Sequence, residues 1–280
     1  MSMPRIAALL LTFIFMLTPA FASLLSAAER PAKMEPPPGA ESNTLTNSLG
    51  MRFVLIPPGT FTMGSPPGEP GRDDDEPPRQ VTISKAFYLQ TTEVTQGQWR
   101  HVMGRNPSYF KECGDDCPVE RVSWNNVMAF IRRLNAKEGT GGYGLPTEAE
   151  WEYACRAGGR TAFSNGTITE TRCAHDPNLD QVGWYCGNSN KQPHSVAGKP
   201  PNAWGLYDMH GNVWEWCRDF FGPVPAGPVT DPVGPADGPG RMRRGGGWFS
   251  YAGDCRSAFR NRDDPFYYSS DLGFRLARTP

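Results

Sequence analysis

The spacing of apolar and polar positions changes character along the chain. An apolar run from Ile6 to Leu17, broken only by Thr12, follows Arg5 and ends in Thr18-Pro19 and the triplet Ala20-Phe21-Ala22. A basic flank, a short apolar stretch and an A-x-A site mark a secretory signal peptide over residues 1–22, with Ser26-Ala27-Ala28 as an alternative cleavage site. The competing reading is a membrane anchor, but a helix of this length rises only about 18 Å against a hydrocarbon core of about 30 Å. Residues 23–48 carry Pro-Pro-Pro, polar residues and few large apolar ones. Such a composition buries too little surface to offset its ordering entropy, so this stretch reads as a flexible linker. Residues 49–280 then hold enough apolar positions for one well-buried domain.

Within that domain three segments carry helical periodicity. Thr95-Gln96-Gly97-Gln98 has capping-box spacing, Trp99, Val102 and Met103 share one face, and Gly104 is a stop. Ser123 can cap a longer helix in which Trp124, Val127, Met128, Ile131 and Leu134 recur at helical intervals. Thr147-Glu148-Ala149-Glu150 is a further capping box, and Gly158 a natural stop after Trp151, Tyr153 and Cys155. Met51–Ile56, Phe61–Met63, Gln80–Ile83 and Phe87–Leu89 read as strands. From Gly187 onward glycine, proline, asparagine and aromatic residues dominate, so bound ions or buried aromatic contacts are expected to hold that stretch rather than regular structure.

Composition narrows the function. Gly 31 and Pro 28 are too many for a helical bundle, and a net charge of −1 argues against a nucleic-acid or anionic-membrane surface, for which a clustered basic excess is expected. Arg72–Glu76 reads as a solvated acidic loop and Arg241–Arg244 as a strand edge. The seven cysteines all follow the signal peptide, in a compartment where disulfides persist. Cys113 and Cys117 lie in a turn-rich segment that can close locally, and Cys173 and Cys186 flank another irregular stretch. Cys155, Cys217 and Cys255 remain, and an odd count leaves at least one thiol unpaired in the chain. Zinc is the competing use, but paired C-x-x-C units are absent and the four histidines are scattered.

Several long strings carry a resemblance. They are Phe53–Ser65 (FVLIPPGTFTMGS), Leu145–Glu152 (LPTEAEWE), Asn202–Trp216 (NAWGLYDMHGNVWEW), Arg244–Trp248 (RGGGW) and Gly273–Leu276 (GFRL). In this order the chain resembles the formylglycine-generating-enzyme, or sulfatase-modifying-factor, family. The resemblance implies an α+β, loop-rich, C-type-lectin-like fold with structural calcium. It places calcium on Asp208, Gly211, Val213 and Glu215. Calcium chemistry agrees, because it favours six to eight hard oxygens from carboxylates and loop carbonyls. The competing reading of Glu215, between two tryptophans, is a hydrogen-bonded buried acid. By the same resemblance the family's second calcium loop is largely missing, its acidic end shortened away, with Asn188 at the position of a remnant.

The same resemblance argues against formylglycine chemistry. Family oxidases hold copper between two cysteines five residues apart, whereas the matching positions here are Ser250 and Cys255, and the preceding serine is Gly247. A hydroxyl does not replace a soft thiolate for Cu(I), so no copper centre is expected. The reading that follows is an exported, periplasmic or secreted factor that matures a small molecule or peptide, as in pyoverdine maturation, in a cleft near Trp248, Ser250 and Cys255. The alternative is a non-catalytic module binding a ligand or a protein partner there; the third is a genuine formylglycine-generating oxidase despite Ser250. Cys217 and Cys255 lie in segments that carry the resemblance and are expected to pair, leaving Cys155 as a lone buried thiol, with a reactive Cys255 the competing reading.

Overall fold

The computed structural model describes residues 43–280. The predicted signal peptide and most of the linker lie outside them. In chain order the strands β1 (Thr44–Thr46), β2 (Arg52–Ile56), β3 (Gly59–Met63), β4 (Arg79–Ile83) and β5 (Phe87–Gln90) precede helices α1 (Gln96–Met103) and α2 (Trp124–Glu138). Then come β6 (Tyr143–Gly144), α3 (Glu148–Arg156), α4 (Leu179–Val182) and β7 (Trp214–Phe220). The chain closes with β8 (Val229–Thr230), β9 (Arg241–Arg244), β10 (Asn261–Asp263), β11 (Leu272–Gly273) and β12 (Ala277–Arg278). The linker therefore ends before residue 48, because Thr44–Thr46 is already paired antiparallel with β2.

Local chemistry fixes the helix ends. Thr95, Ser123 and Thr147 each accept the N3 amide, and the N3 side chain of Gln98, Asn126 or Glu150 returns a bond to the cap, which satisfies donors a helix start leaves open. Gly104 and Gly139 end α1 and α2 in the left-handed region. Helix α3 ends one residue earlier than expected, with Ala157 at φ 45° and Gly158 following at φ 88°.

Three sheets result, in the orders β1-β2-β5-β12-β6, β10-β9-β7-β11 and β3-β4-β8. The second corrects two expectations. The stretch after Gly187 contains a seven-residue strand, β7, and Arg241–Arg244 is an interior strand between β10 and β7 rather than an edge. Aromatic and branched side chains from α1, α2, β2 and β7 build one core, in which Trp99 stacks on Phe130 at 5.1 Å and meets Phe274 edge-on at 6.0 Å. Burying each such side chain stabilises by about 1.5–3 kcal/mol. A second core under β3, β4 and β5 holds Trp151 and Cys217, and a third around Phe163 and Tyr185 holds Cys255.

The acidic stretch 72–76 is only partly solvated. Asp73 and Asp74 are exposed, but Glu76 is buried and takes Arg256 Nη1 and Nη2 at 2.8 Å each. Burial pushes the Glu76 carboxyl up and the Arg256 contacts outweigh it, so the group sits below its ordinary value. No helix of the described residues is long and apolar enough to cross a membrane.

Candidate functional site

The turn from Asp208 to Val213 leaves ordinary backbone space at three positions: Asp208 at φ 59°, Gly211 at φ 138° and Asn212 at φ 71°. Gly211 is required there, because a Cβ would lie 2.3 Å from the Trp184 carbonyl oxygen. The turn delivers Asp208 to the interior, where Oδ2 accepts the Ala197 amide at 2.7 Å and Oδ1 is buried with no N–H or hydroxyl on it. Glu93, from the segment ahead of α1, arrives from the other side. Its Oε1 accepts the Val213 amide at 3.4 Å, and its buried Oε2 likewise meets no N–H or hydroxyl. Burial, then the charges of Asp208 and Glu215, push the Glu93 carboxyl well up; burial pushes Asp208 up to about 6.

Glu215 completes the cluster. It accepts Arg275 Nε and Nη2 at 2.7 Å each and Trp151 Nε1 at 2.8 Å. Both Glu215 oxygens thus accept hydrogen bonds inside the protein. Three carboxylates stand against one guanidinium, Arg275; Glu93 and Asp208 each keep an oxygen that no N–H or hydroxyl reaches, and these two carboxyls lie within hydrogen-bond reach of each other when Glu93 carries a proton. Buried charges left this way are costly unless a cation or protons balance them. The donor set fits a hard divalent ion: oxygens throughout, and a residual charge of about −2 if all three acids ionise. Glu93 would join Asp208, Glu215 and the carbonyls of Gly211 and Val213. Sequence reading missed Glu93 because it lies 120 residues before Val213; its signal is a lone acid between the buried Leu89 and Val94. Asn188 is spent elsewhere, donating to Asp180 Oδ1 and the Gly183 carbonyl at 3.0 Å each.

The second candidate cleft divides between surface and interior. Trp248 is half-buried, tied by Nε1 to the Ser270 carbonyl at 2.9 Å and packed edge-on against Phe110 at 5.3 Å. Phe249, 64% exposed, and Tyr109, 66% exposed, extend this aromatic surface on either side. Ser250 is buried, and its hydroxyl accepts the Gly247 amide at 3.0 Å. Cys255 is fully buried in a short 3₁₀ turn, and burial lifts its thiol well above the ordinary range. Gly246 makes room for it, since a Cβ there would lie 2.5 Å from the sulfur. The structure thus brings Trp248 to the surface and keeps Cys255 inside.

His210 supports this arrangement. Its Nδ1 donates to the Cys255 carbonyl at 2.9 Å, while Nε2 accepts the Ser164 amide at 2.9 Å, which requires the neutral ring; burial lowers its pKa to about 4. Glu120 lies under the aromatic surface. Its Oε1 accepts the Phe110 amide at 2.8 Å, Oε2 is buried without a partner, and burial pushes the carboxyl up to about 7. Neither Glu120 nor Tyr109-Phe110 stood out in the sequence, because a single acid in a loop carries no periodic signal.

Two disulfides form: Cys113–Cys117, within the turn-rich segment that can close locally, and Cys173–Cys186, a pairing the sequence left open. The expected bond between Cys217 and Cys255 does not. Both are free and buried, as is Cys155. The side chain of Cys217 on β7 enters the core with Ala149 and Met242, whereas Cys255 packs with Ala162, Phe163 and Ala252 in another. Neighbouring segments here present their sulfurs to different cores, and a disulfide needs Cβ vectors that converge.

Comparison with known proteins agrees with this architecture. The model of the sulfatase-modifying factor enzyme 1-like domain matches residues 40–280. The formylglycine-generating enzyme of Mus musculus is 28% identical over 313 aligned residues, covering 90% of this chain and 81% of that protein. A protein from Paenibacillus barcinonensis named chaperone protein LppX is 30% identical, covering 72% and 82%. Among solved structures, Treponema denticola variable protein 1 superposes with a TM-score of 0.74 at 31% identity, covering 85% of this chain and 98% of that one. PvdO from Pseudomonas aeruginosa gives 0.71 at 27% identity with the same coverage. The mixed, loop-rich, C-type-lectin-like architecture and the matched length make this chain a member of the sulfatase-modifying-factor, or formylglycine-generating-enzyme, family.

Proposed function

We propose that this family member is an exported, calcium-stabilised maturation factor that holds a small molecule or peptide against the Trp248 surface and does not generate formylglycine. The observation that carries the reading is the pair Ser250 and Cys255. One is a hydroxyl bound to a backbone amide and the other a thiol enclosed in a core, so these two positions offer a soft metal no pair of thiolates. What remains accessible is aromatic: Trp248, Phe249 and Tyr109 offer large contact area at little conformational cost. Export is supported by the signal-like N-terminus together with two disulfides, which persist in oxidising compartments.

Calcium in this reading rests on the two oxygens of Glu93 and Asp208 that no N–H or hydroxyl reaches. When bound it supplies charge balance to a buried acid cluster; the chain's own contribution is to hold the turn 208–213 open toward Glu93. A second reading keeps the same surface without any chemistry, as a partner-binding module. The exposed aromatic side chains favour it equally, and the two separate on whether the bound molecule leaves altered.

The test uses a Cys-x-Pro-x-Arg peptide incubated in air with the purified protein and Cu(I). Mass spectrometry is expected to find the cysteine unchanged. Aldehyde in that peptide would sink the proposal. Native mass spectrometry of protein recovered from its own exported fraction supplies the positive arm. A bound adduct present in the wild type and lost in Trp248→Ala supports the surface; an adduct retained in that variant moves the ligand elsewhere.

A further inference from the structure

The turn that carries Asp208, Gly211 and Val213 is held from outside by one short surface segment. His194 donates its amide to Asn212 Oδ1 at 2.9 Å, and its carbonyl accepts Asn212 Nδ2 at 3.2 Å. Ala197 donates its amide to Asp208 Oδ2 at 2.7 Å. Both ends of the turn therefore take their position from residues 194–197.

That segment leans on the loop closed by Cys113–Cys117. Val196 donates its amide to the Asp116 carbonyl, inside the loop, at 2.9 Å. The Cys113 sulfur lies 3.5 Å from the Pro193 carbonyl oxygen, and the Cys117 sulfur 3.7 Å from the Ser195 hydroxyl. Helix α1 anchors one flank of the loop, because Gln96 and Gly97 donate to the Cys117 and Asp115 carbonyls at 2.8 and 3.0 Å. Backbone amides of the other flank, Cys113 and Gly114, bond only to the nearby Phe110 and Lys111 carbonyls. The disulfide is the covalent tie between the two flanks. Cys117 is fully buried, whereas Cys113 is half-buried and open to a reductant.

We propose that the Cys113–Cys117 disulfide and cation binding at Asp208–Glu215 are coupled, so that the oxidised loop holds the calcium site in its binding form and reduction weakens it. This rests on the calcium reading above and adds a redox control to it. Reduction leaves two separate S–H groups where Pro193 and Ser195 pack, and a shift of those residues carries Val196, Ala197 and the Asp208 carboxylate with it. The step balances with a dithiol: its two thiols give two electrons and two protons, the protein S–S bond becomes two S–H groups, and the dithiol becomes a cyclic disulfide. Linkage makes the effect reciprocal, so bound calcium resists reduction by the same factor. In an exported chain, oxidation becomes a condition for tight calcium binding.

The test equilibrates the purified full-length protein in buffers of reduced and oxidised dithiothreitol, with calcium or with chelator. Acid quenching, alkylation and peptide mass spectrometry then read each disulfide, and calorimetry measures calcium binding separately. Calcium is expected to move the Cys113–Cys117 equilibrium about tenfold toward the disulfide, about 30 mV for this two-electron couple. A smaller shift is expected at Cys173–Cys186, and none at either in Glu93→Gln with Asp208→Asn. Cys113→Ser with Cys117→Ser should bind calcium about tenfold more weakly than wild type, the same factor read from the other side. If the wild type binds calcium, then no shift, equal shifts at both disulfides or undiminished affinity in the serine variant overturns the coupling alone. A wild type that binds no calcium overturns the calcium reading and the coupling with it. Should the serine variant fail to fold, the wild-type redox equilibrium decides.

Discussion

Arg275 grips both oxygens of Glu215, Nε on Oε2 and Nη2 on Oε1 at 2.7 Å each, although the two lie 60 residues apart. The contact exists because β11 runs parallel to β7, pairing Gly273 with Glu215, before the chain crosses to pair β12 with β5. Arg275 sits at that crossing and also donates to the Gln90 and Tyr207 carbonyls, at 3.1 and 2.8 Å. One guanidinium therefore ties two sheets and the turn carrying Asp208 to one point.

Replacing Arg275 by Met removes the one guanidinium among the described residues that is bonded to Glu215 and leaves buried acids around it unbalanced. A loss of about 3–5 kcal/mol is expected, the range for breaking a buried pair by deleting one partner. Urea unfolding at pH 7 measures it. A loss below about 1 kcal/mol would mean the cluster is balanced by other means.

Calcium is expected to raise the melting midpoint of chelator-treated protein, because a ligand that binds only the folded state stabilises it by mass action. Glu93→Gln with Asp208→Asn should erase that rise, since these residues own the oxygens that no N–H or hydroxyl reaches. An identical midpoint with and without calcium in metal-stripped wild type refutes the assignment.

The three free thiols should resist iodoacetamide in the folded protein. All are buried, and burial pushes Cys155 up to about 12 and lifts Cys217 and Cys255 well above their ordinary value, so almost no thiolate is present. Mass spectrometry should find no native alkylation and three adducts after unfolding without reductant. Labelling of Cys255 in native protein would revive it as a reactive group.

Glu120 gives a pH dependence of defined sign. Its folded pKa is raised by burial from 4.5 to about 7, so the folded state keeps a proton that the unfolded chain has lost. Stability from this group therefore falls as pH rises from about 4.5 to about 7, by up to about 3 kcal/mol. Glu120→Gln should flatten that part of the pH–stability curve relative to wild type. Parallel curves would show that Glu120 ionises normally.

Removing the 173–186 disulfide by paired Cys→Ser substitution should cost about 3 kcal/mol, against about 2 for the shorter 113–117 loop, in the chain-entropy model. The separations, 13 and 4 residues, set the order. Thermal melts of both variants check it, and equal losses would point to native-state effects instead.

The sequence by itself determined the local elements and the family. Capping boxes at Thr95, Ser123 and Thr147 act within four residues, so their signals are complete in the local string. The family strings likewise placed Asp208, Gly211, Val213 and Glu215 in one turn-and-strand segment. Only the tertiary structure decided which distant groups meet them. It brought in Glu93 and Arg275, showed the Glu215 carboxylate bonded to Arg275, and separated Cys217 from Cys255 by aiming their side chains into different cores. It also buried Cys255 and exposed Phe249 from a single glycine-rich segment. The reason is physical: pairing depends on strand register and on which face a side chain takes. A short irregular strand or 3₁₀ turn carries no period from which that face can be read.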